Sequence, residues 1–231
     1  MKLYFHPVST TCRPIMLFAA DQRIQLDYQL VDLMTEEQLQ PAFTAVNPAQ
    51  CVPVLEDGDF RLSESSAILK YLAERTLRAE LIEGSSVYPV DPQLRARVHE
   101  RMDWFNTSFS RDVCYGLVYP QIFPKHRYPD ERAHAHRLQV QKARAARQLD
   151  LLDSGLIGAN AYVCGHAITL ADYFGAALVT LGEVIRIDYS RWSNVSRWLA
   201  RMKDREAWSR ANKAFYTSLV QPLATDSFVT L

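Results

Sequence analysis

The sequence predicts two unlike parts: an α/β domain over residues 1–80 and an all-α helical bundle over residues 91–231, joined by a linker at 81–90. Three observations carry this. Strand-like patterns occur only in the first part, where the order reads β-α-β-α-β-β-α. The segment from Leu81 to Pro92 holds Gly84, Ser85, Ser86, Pro89 and Pro92, a composition that interrupts both helix and strand. Beyond it no strand pattern recurs, and apolar residues fall at helical spacing in long runs.

Leu3-Tyr4-Phe5 is a short strand stopped by Pro7. Ser9, Thr10 and Thr11 precede Cys12-Arg13-Pro14, with proline where a first helix begins. Ile15, Met16, Phe18, Ala19 and Ala20 supply its apolar face. From Leu26 to Asp32 the alternation of Leu26, Tyr28 and Leu30 predicts a second strand with those three on one side. Thr35-x-x-Gln38 fits a capping box, while Pro41 marks the start of a helix carrying Phe43 and Val46 and ended by Asn47-Pro48.

The stretch from Asn47 to Leu72 is the most informative. Val52-Pro53-Val54-Leu55 opens a strand on a proline, which cannot donate to a ladder, so it marks an edge or a junction. An X-Pro bond is also the one for which the cis form costs least, and cis there leaves backbone groups free for a guest. Asp57-Gly58 supplies a hairpin turn, and Phe60-Arg61-Leu62 returns as the partner strand. Ser63-Glu64-Ser65-Ser66 then caps a helix with Ala67, Ile68, Tyr71 and Leu72 on one face. Free amides and hydroxyls converge there, a place suited to a small anion such as an amino-acid carboxylate.

In the second half, Arg95 to about Phe123 reads as one helix with Val98, Met102, Phe105 and Phe109 inward, and Pro129 to Leu152 as another with Leu138, Leu149 and Leu152 inward. Thr169-x-x-Asp172 is a capping box with Ile168 as hydrophobic staple, opening a helix apolar nearly all round and therefore central to the bundle. Trp192–Met202 and Glu206–Leu219 complete the set.

Composition narrows the function. The 231 residues are 48% hydrophobic and 23% charged, with 26 basic and 26 acidic side chains, which argues against a dedicated nucleic-acid or anionic-membrane binder. No signal-peptide run opens the chain, and no apolar segment approaches the length of a membrane span. Cys12, Cys51, Cys114 and Cys164 are far apart and form no CxxC pair, so they are expected as reduced thiols in a cytoplasmic protein. The histidines lack ligand spacing, and no metal site is expected.

A β-α-β-α-β-β-α unit with Val52-Pro53, Glu64-Ser65, Ser9 before the first helix, and the Thr169-x-x-Asp172 box resembles the cytosolic glutathione transferases. The segments VSTTCRP, VDL (31–33), DGDF (57–60), ESSAIL (64–69) and RARVHE (95–100) are similar to the serine-using theta and delta types. The resemblance implies a thioredoxin-like first domain, glutathione as co-substrate, a small apolar electrophile as second substrate, and a homodimer.

Residue by residue, it implies that Ser65 binds the α-carboxylate of glutathione and Glu64 lies beside its α-ammonium. Val52, before a cis Pro53, pairs with the cysteinyl backbone like an added strand. Ser9 then stabilises the glutathione thiolate, which is the nucleophile. Thr10, Thr11 and Tyr4 are the rival hydroxyls, and a serine in the place of Ser9 is, without the resemblance, most often a helix cap. Gln38 and Cys51 stand where relatives commonly hold the glycyl carboxylate with histidine and lysine, and Thr107 stands where an acid often reaches across the dimer. For the electrophile, Val8, Phe105, Ser108, Arg111 and Tyr115 are candidates, with core packing and a salt bridge as the plainer roles of Phe105 and Arg111. Cys12 occupies the second position of a Ser-x-x-Cys, where packing competes with a redox role. A glutathione-dependent disulfide or peroxide reductase and a non-catalytic ligand-binding module are the alternative functions.

Overall fold

A computed structural model describes residues 1–76 and 87–231. Residues 81–86 of the expected linker lie outside the described residues. The first part holds a sheet of order β2-β1-β3-β4, made of β1 (Lys2–Phe5), β2 (Asp27–Leu30), β3 (Val54–Asp57) and β4 (Phe60–Ser63). β1 runs parallel to β2, with Leu3 opposite Tyr28, and antiparallel to β3, with Leu3 opposite Leu55. β3 and β4 form the hairpin, closed by Gly58-Asp59 with Gly58 at φ +61°, a conformation that costs glycine little. With α1 (Arg13–Asp21), the single turn α2 (Pro41–Thr44) and α3 (Ser65–Thr76), this is a thioredoxin-like arrangement.

The sheet has two unlike faces. Leu3 and Leu55 pack on Ile15 and Phe18 of α1 and on Ile68, Leu69 and Leu72 of α3, in a core that continues into the helical part. Val54 and Val52 pack with Val31, Phe43 and Cys12 in a smaller second cluster.

β2 forms within the expected stretch, and its Tyr28 and Leu30 are 42% and 49% exposed. β2 is one edge of the sheet, and an apolar groove of about 460 Å³ lies between it, α1 and the later helix carrying Arg210 and Ala211. One expectation fails: the Thr35-x-x-Gln38 capping box does not form. The Thr35 hydroxyl donates to the Asp32 carbonyl, and the Glu37 carboxylate accepts the Asp32 amide, so the chain makes a short 3₁₀ turn, Glu37–Leu39, before Pro41.

The second part is helical. α4 (Pro92–Trp104), capped by Asp91, runs without a break into a wide π-helical stretch, Phe105–Val118, and a final turn, Tyr119–Ile122. α5 (Glu131–Asp150) is capped by Asp130 and continues through Leu151–Ile157. α6 (Leu170–Thr180) is buried along its whole length. Its capping box is present. The Asp172 carboxylate accepts from the Thr169 amide and hydroxyl, the Val163 amide and the Trp198 indole, four bonds that offset the burial raising its pKa. α7 (Ser193–Lys203) and α8 (Glu206–Phe215) complete the described bundle.

Arg13 pins α1 to this bundle. Fully buried, it donates to the Ala177 carbonyl at 3.0 Å and the Thr180 hydroxyl at 2.5 Å, and lies 3.6 Å from the Phe215 ring centroid. At the other end of α1, Asp21 accepts from Arg205 and from Tyr173. The first helix is thereby held at both ends by the second domain, and the loop before it faces the end of the α4 helix.

Candidate active site

The loop His6–Cys12 delivers Ser9 to the amide end of α1. The Ser9 carbonyl accepts the Cys12 and Arg13 amides at 3.1 and 3.0 Å, and its hydroxyl oxygen also accepts the Cys12 amide at 3.3 Å. The Ser9 amide donates to the His6 carbonyl, and the Val8 amide reaches His6 Nδ1 at 3.4 Å, which folds the loop back on itself. Val8 and Ser9 are half-buried. The Ser9 and Thr11 hydroxyl oxygens are 3.1 Å apart, and Thr11 donates to the Val52 carbonyl at 3.2 Å. The Val52-Pro53 bond is cis. Ser9 and Val52, 43 positions apart in sequence, are therefore bridged by one hydroxyl.

Around Val52 the chain is clamped by a residue that sequence reading passed over. Asn47 is buried, donates to the Cys51 carbonyl at 2.7 Å and accepts the Ala49 amide at 3.1 Å. The amide side chain supplies the donor on its nitrogen and the acceptor on its oxygen at once. Cys51 is exposed beside it. Gln38 is half-buried, and its carbonyl oxygen has no donor among the described residues.

At the start of α3, Glu64 is exposed and takes φ +69°, a left-handed conformation that costs an L residue about 1–2 kcal/mol. Its carbonyl accepts the Ile68 amide, so Glu64 is the boundary residue of the helix. Ser65 is buried, 4% exposed, and the amides of Ser65, Ser66 and Ala67 have no acceptor among the described residues. That end of α3 presents donors and a positive dipole to an anion, with a carboxylate alongside for a cation.

From the other domain comes an aromatic wall. Tyr115 packs edge-on against Tyr119 (centroids 4.9 Å apart), which stacks on His126 at 5.4 Å and touches Phe123. The Tyr119 hydroxyl donates to Thr10 at 3.0 Å and so fixes the wall beside Ser9. Tyr115 is more than half exposed on this wall, and burial of the rest of its side chain raises its pKa. Tyr119, Phe123 and His126 were missed. Tyr115, Tyr119 and Phe123 recur every four residues, a signal that also fits core packing.

The remaining candidates divide. Ser108 is half-buried on the π-helical stretch. Phe105 is not at the surface of a cleft: it is fully buried, packed on Trp104, Phe109 and Trp198, and fills the space left by Gly175. Arg111 is exposed and engaged elsewhere, forming two bonds to Asp112, whose carboxylate also accepts from Gln148. With Arg144 and Arg147 it lines an outer cleft against α5, whose lining includes none of the rings of the wall. Thr107 donates to the Asp103 carbonyl of its own helix. The Tyr4 hydroxyl reaches Glu56 on β3 at 3.4 Å and not the loop of Ser9. Cys12 is fully buried, and desolvation pushes its thiol up to about 11 against the opposing bonds from Ser9 and His6. Among the described residues no group of three or more His, Cys, Asp or Glu is placed to hold a metal ion, and no helix is long and apolar enough to cross a membrane.

Known proteins resemble this chain in sequence and in fold. The model of the glutathione S-transferase N-terminal domain family matches residues 1–74. Human glutathione S-transferase theta-1 is 34% identical over 172 residues, covering 74% of this chain and 69% of the relative, and the bovine theta-1 enzyme is 35% identical over the same span. Among solved structures, a delta-class glutathione transferase of Nilaparvata lugens superposes with TM-score 0.78 at 29% identity, over 96% of this chain and 98% of that one. Human glutathione S-transferase T1-1 in its apo form gives 0.77 at 27% identity, over 94% and 90%. The chain belongs to the glutathione S-transferase family, a family of enzymes, and resembles its theta and delta members.

Proposed function

We propose that this enzyme binds glutathione, lowers the pKa of its thiol at Ser9, and adds the thiolate to a small apolar electrophile, by displacing a halide or by conjugate addition. The observation that carries the reading is the position of the Ser9 hydroxyl, at the amide end of α1 and one hydroxyl away from the Val52 carbonyl. Glutathione laid along Val52 as an added strand brings its sulfur to Ser9. Its γ-glutamyl carboxylate meets the amides and hydroxyl of Ser65, and its ammonium meets Glu64. Gln38 and Cys51 flank the glycyl end, and because the Gln38 side chain carries no charge that end is the weakest held. The helix dipole and the Ser9 hydroxyl both favour negative charge on sulfur. Val8, Tyr115 and Tyr119 border the electrophile.

Burial of Cys12 speaks against the alternative in which that thiol carries disulfide or peroxide reduction, because a thiolate there is strongly disfavoured. A cytoplasmic homodimer acting on foreign electrophiles completes the reading, and sedimentation equilibrium checks its oligomeric part.

Ser9→Ala tests the chemistry. A hydrogen bond to a charged group is worth about 1.5–3 kcal/mol, so the bound thiol pKa, followed by thiolate absorbance, rises by about 1–2 units. The conjugation rate at mildly acid pH falls by a similar factor of about 10–100. An unchanged pKa and rate would remove Ser9 from the mechanism.

A further inference from the structure

Counting protons in the Ser9 loop leads to a role for Thr11. A carbonyl only accepts, so in the 3.2 Å bond between Thr11 and Val52 the Thr11 hydroxyl is the donor. Its single proton is then committed. The 3.1 Å contact between Thr11 and Ser9 must therefore run the other way, with Ser9 donating and Thr11 accepting. The Ser9 oxygen accepts from the Cys12 amide at 3.3 Å. In this state the Ser9 proton points at Thr11 and is not available to a sulfur atom.

We propose that Thr11 is a positioning residue that couples occupation of the Val52 carbonyl to the orientation of the Ser9 hydroxyl. The proposal rests on the reading above that glutathione pairs with the Val52 backbone and is activated at Ser9. When the cysteinyl N–H of glutathione donates to the Val52 carbonyl, it competes with Thr11 for that acceptor. The Thr11 hydroxyl rotates and donates to the Ser9 oxygen. Ser9, now accepting from Thr11 and from the Cys12 amide, turns its own proton to the glutathione sulfur. A Ser9 hydroxyl that receives two hydrogen bonds is also a stronger donor, because hydrogen bonds in a chain polarise one another. No covalent bond changes; two hydroxyl rotors turn, and every proton stays on its own oxygen. The same bridge keeps the thiolate-stabilising state from forming before the peptide part of glutathione is seated.

The neighbouring hydroxyl does not share this role. Thr10 is buried and receives the Tyr119 hydroxyl, on the side of the loop that faces the second domain. Thr11 alone of the three hydroxyls touches both Ser9 and Val52.

Thr11→Val removes the hydroxyl with little change of shape, and Thr11→Ser restores it. The pKa of enzyme-bound glutathione, read from thiolate absorbance against pH, is expected to rise by about half a unit to one unit in Thr11→Val and to return to near wild type in Thr11→Ser. The KM for glutathione is expected to change less than kcat, since the effect falls on the thiolate and not on the backbone pairing. In Ser9→Ala, adding Thr11→Val is expected to shift the pKa no further, because Thr11 acts only through Ser9. A Thr11→Val enzyme with wild-type thiol pKa, or an equal shift with and without Ser9, overturns the relay while leaving Ser9 in place. A Ser9→Ala enzyme with unchanged pKa overturns both. A residue that merely held the loop would alter stability or KM and leave the bound thiol pKa where it was.

Discussion

The recognition corner in the first domain and the aromatic wall in the second face the same place, but they are built in opposite ways. The corner consists of backbone groups and short polar side chains held by their own neighbours: Asn47 clamps Cys51, Thr11 reaches Val52, and Glu64 turns into α3. The wall consists of large rings, Tyr115 and Tyr119 on one long helix and Phe123 and His126 just past its end. Earlier on that helix Phe105 fits over Gly175, where a Cβ would stand 2.3 Å from the ring. On the proposed reading, recognition of glutathione rests on local turns, and selection of the electrophile rests on how that helix packs in the bundle.

The strongest way to break this contrast is Gly175→Ala. The added methyl must displace the Phe105 ring or shift α6 against α4, and such overpacking costs roughly 1–3 kcal/mol. Chemical denaturation is expected to report that loss, with electrophile kinetics altered and glutathione affinity nearly preserved. Equal loss of both would mean that the corner also leans on the bundle.

Glu64→Gln probes the corner alone. It keeps the left-handed backbone and removes the charge facing the ammonium. The KM for glutathione is expected to rise about 10-fold, by the same factor for every electrophile. A change that depended on the electrophile would place Glu64 in the wrong half of the comparison.

The smallest effects separate Tyr115 from Arg111. Tyr115→Ala is expected to change the ratio of rates for a bulky and a small electrophile by a few-fold, a hydrophobic-pocket effect of about 1 kcal/mol. Arg111→Ala is expected to leave that ratio unchanged, because Arg111 is paired with Asp112 in the outer cleft. Its trace lies in the pH dependence of stability. The hydrogen bond from Arg111, with that from Gln148, holds the Asp112 carboxyl below the ordinary carboxylate range. A depressed folded-state pKa contributes stability that is present above the unfolded value, about 4, and is lost as pH falls through the folded one. The difference between wild type and Arg111→Ala is thus expected at neutral pH and to fade under acid, measured by denaturant titration across that range.

Much of the site was legible because its chemistry is local in sequence. Val52-Pro53, Gly58 and Glu64-Ser65 are residues whose backbone needs are nearly unique, and each occupies the turn, junction or helix start that its type requires. Thr169 and Asp172 likewise close a box three residues apart. What was not legible concerns faces. The alternation of Tyr28 and Leu30 marks a strand, but that β2 is an edge strand with both side chains largely exposed follows from the sheet order. Phe105 and Tyr115 lie on one continuous helix, and its wide π-helical turns make the ordinary 3.6-residue period a poor guide to which of them meets the cleft. Asn47 was passed over, and Thr11 stood only as a rival of Ser9, because what makes them matter, a carbonyl 4 or 41 residues away, has no mark in the side-chain pattern.

The sequence by itself determined the order of the elements, the split into an α/β and an all-α part, and the helix start at Glu64-Ser65 that the proposed reading assigns to the γ-glutamyl end of glutathione. All of these follow from backbone propensity, hydrophobic period and hydrogen-bonding type over a few neighbouring residues. The tertiary structure alone decided which hydroxyl faces which carbonyl, which rings form the wall, and that Arg111 belongs to an ion pair. Those are contacts between segments distant in the chain, and their geometry is set by how closely two helices can pack and where a sheet ends.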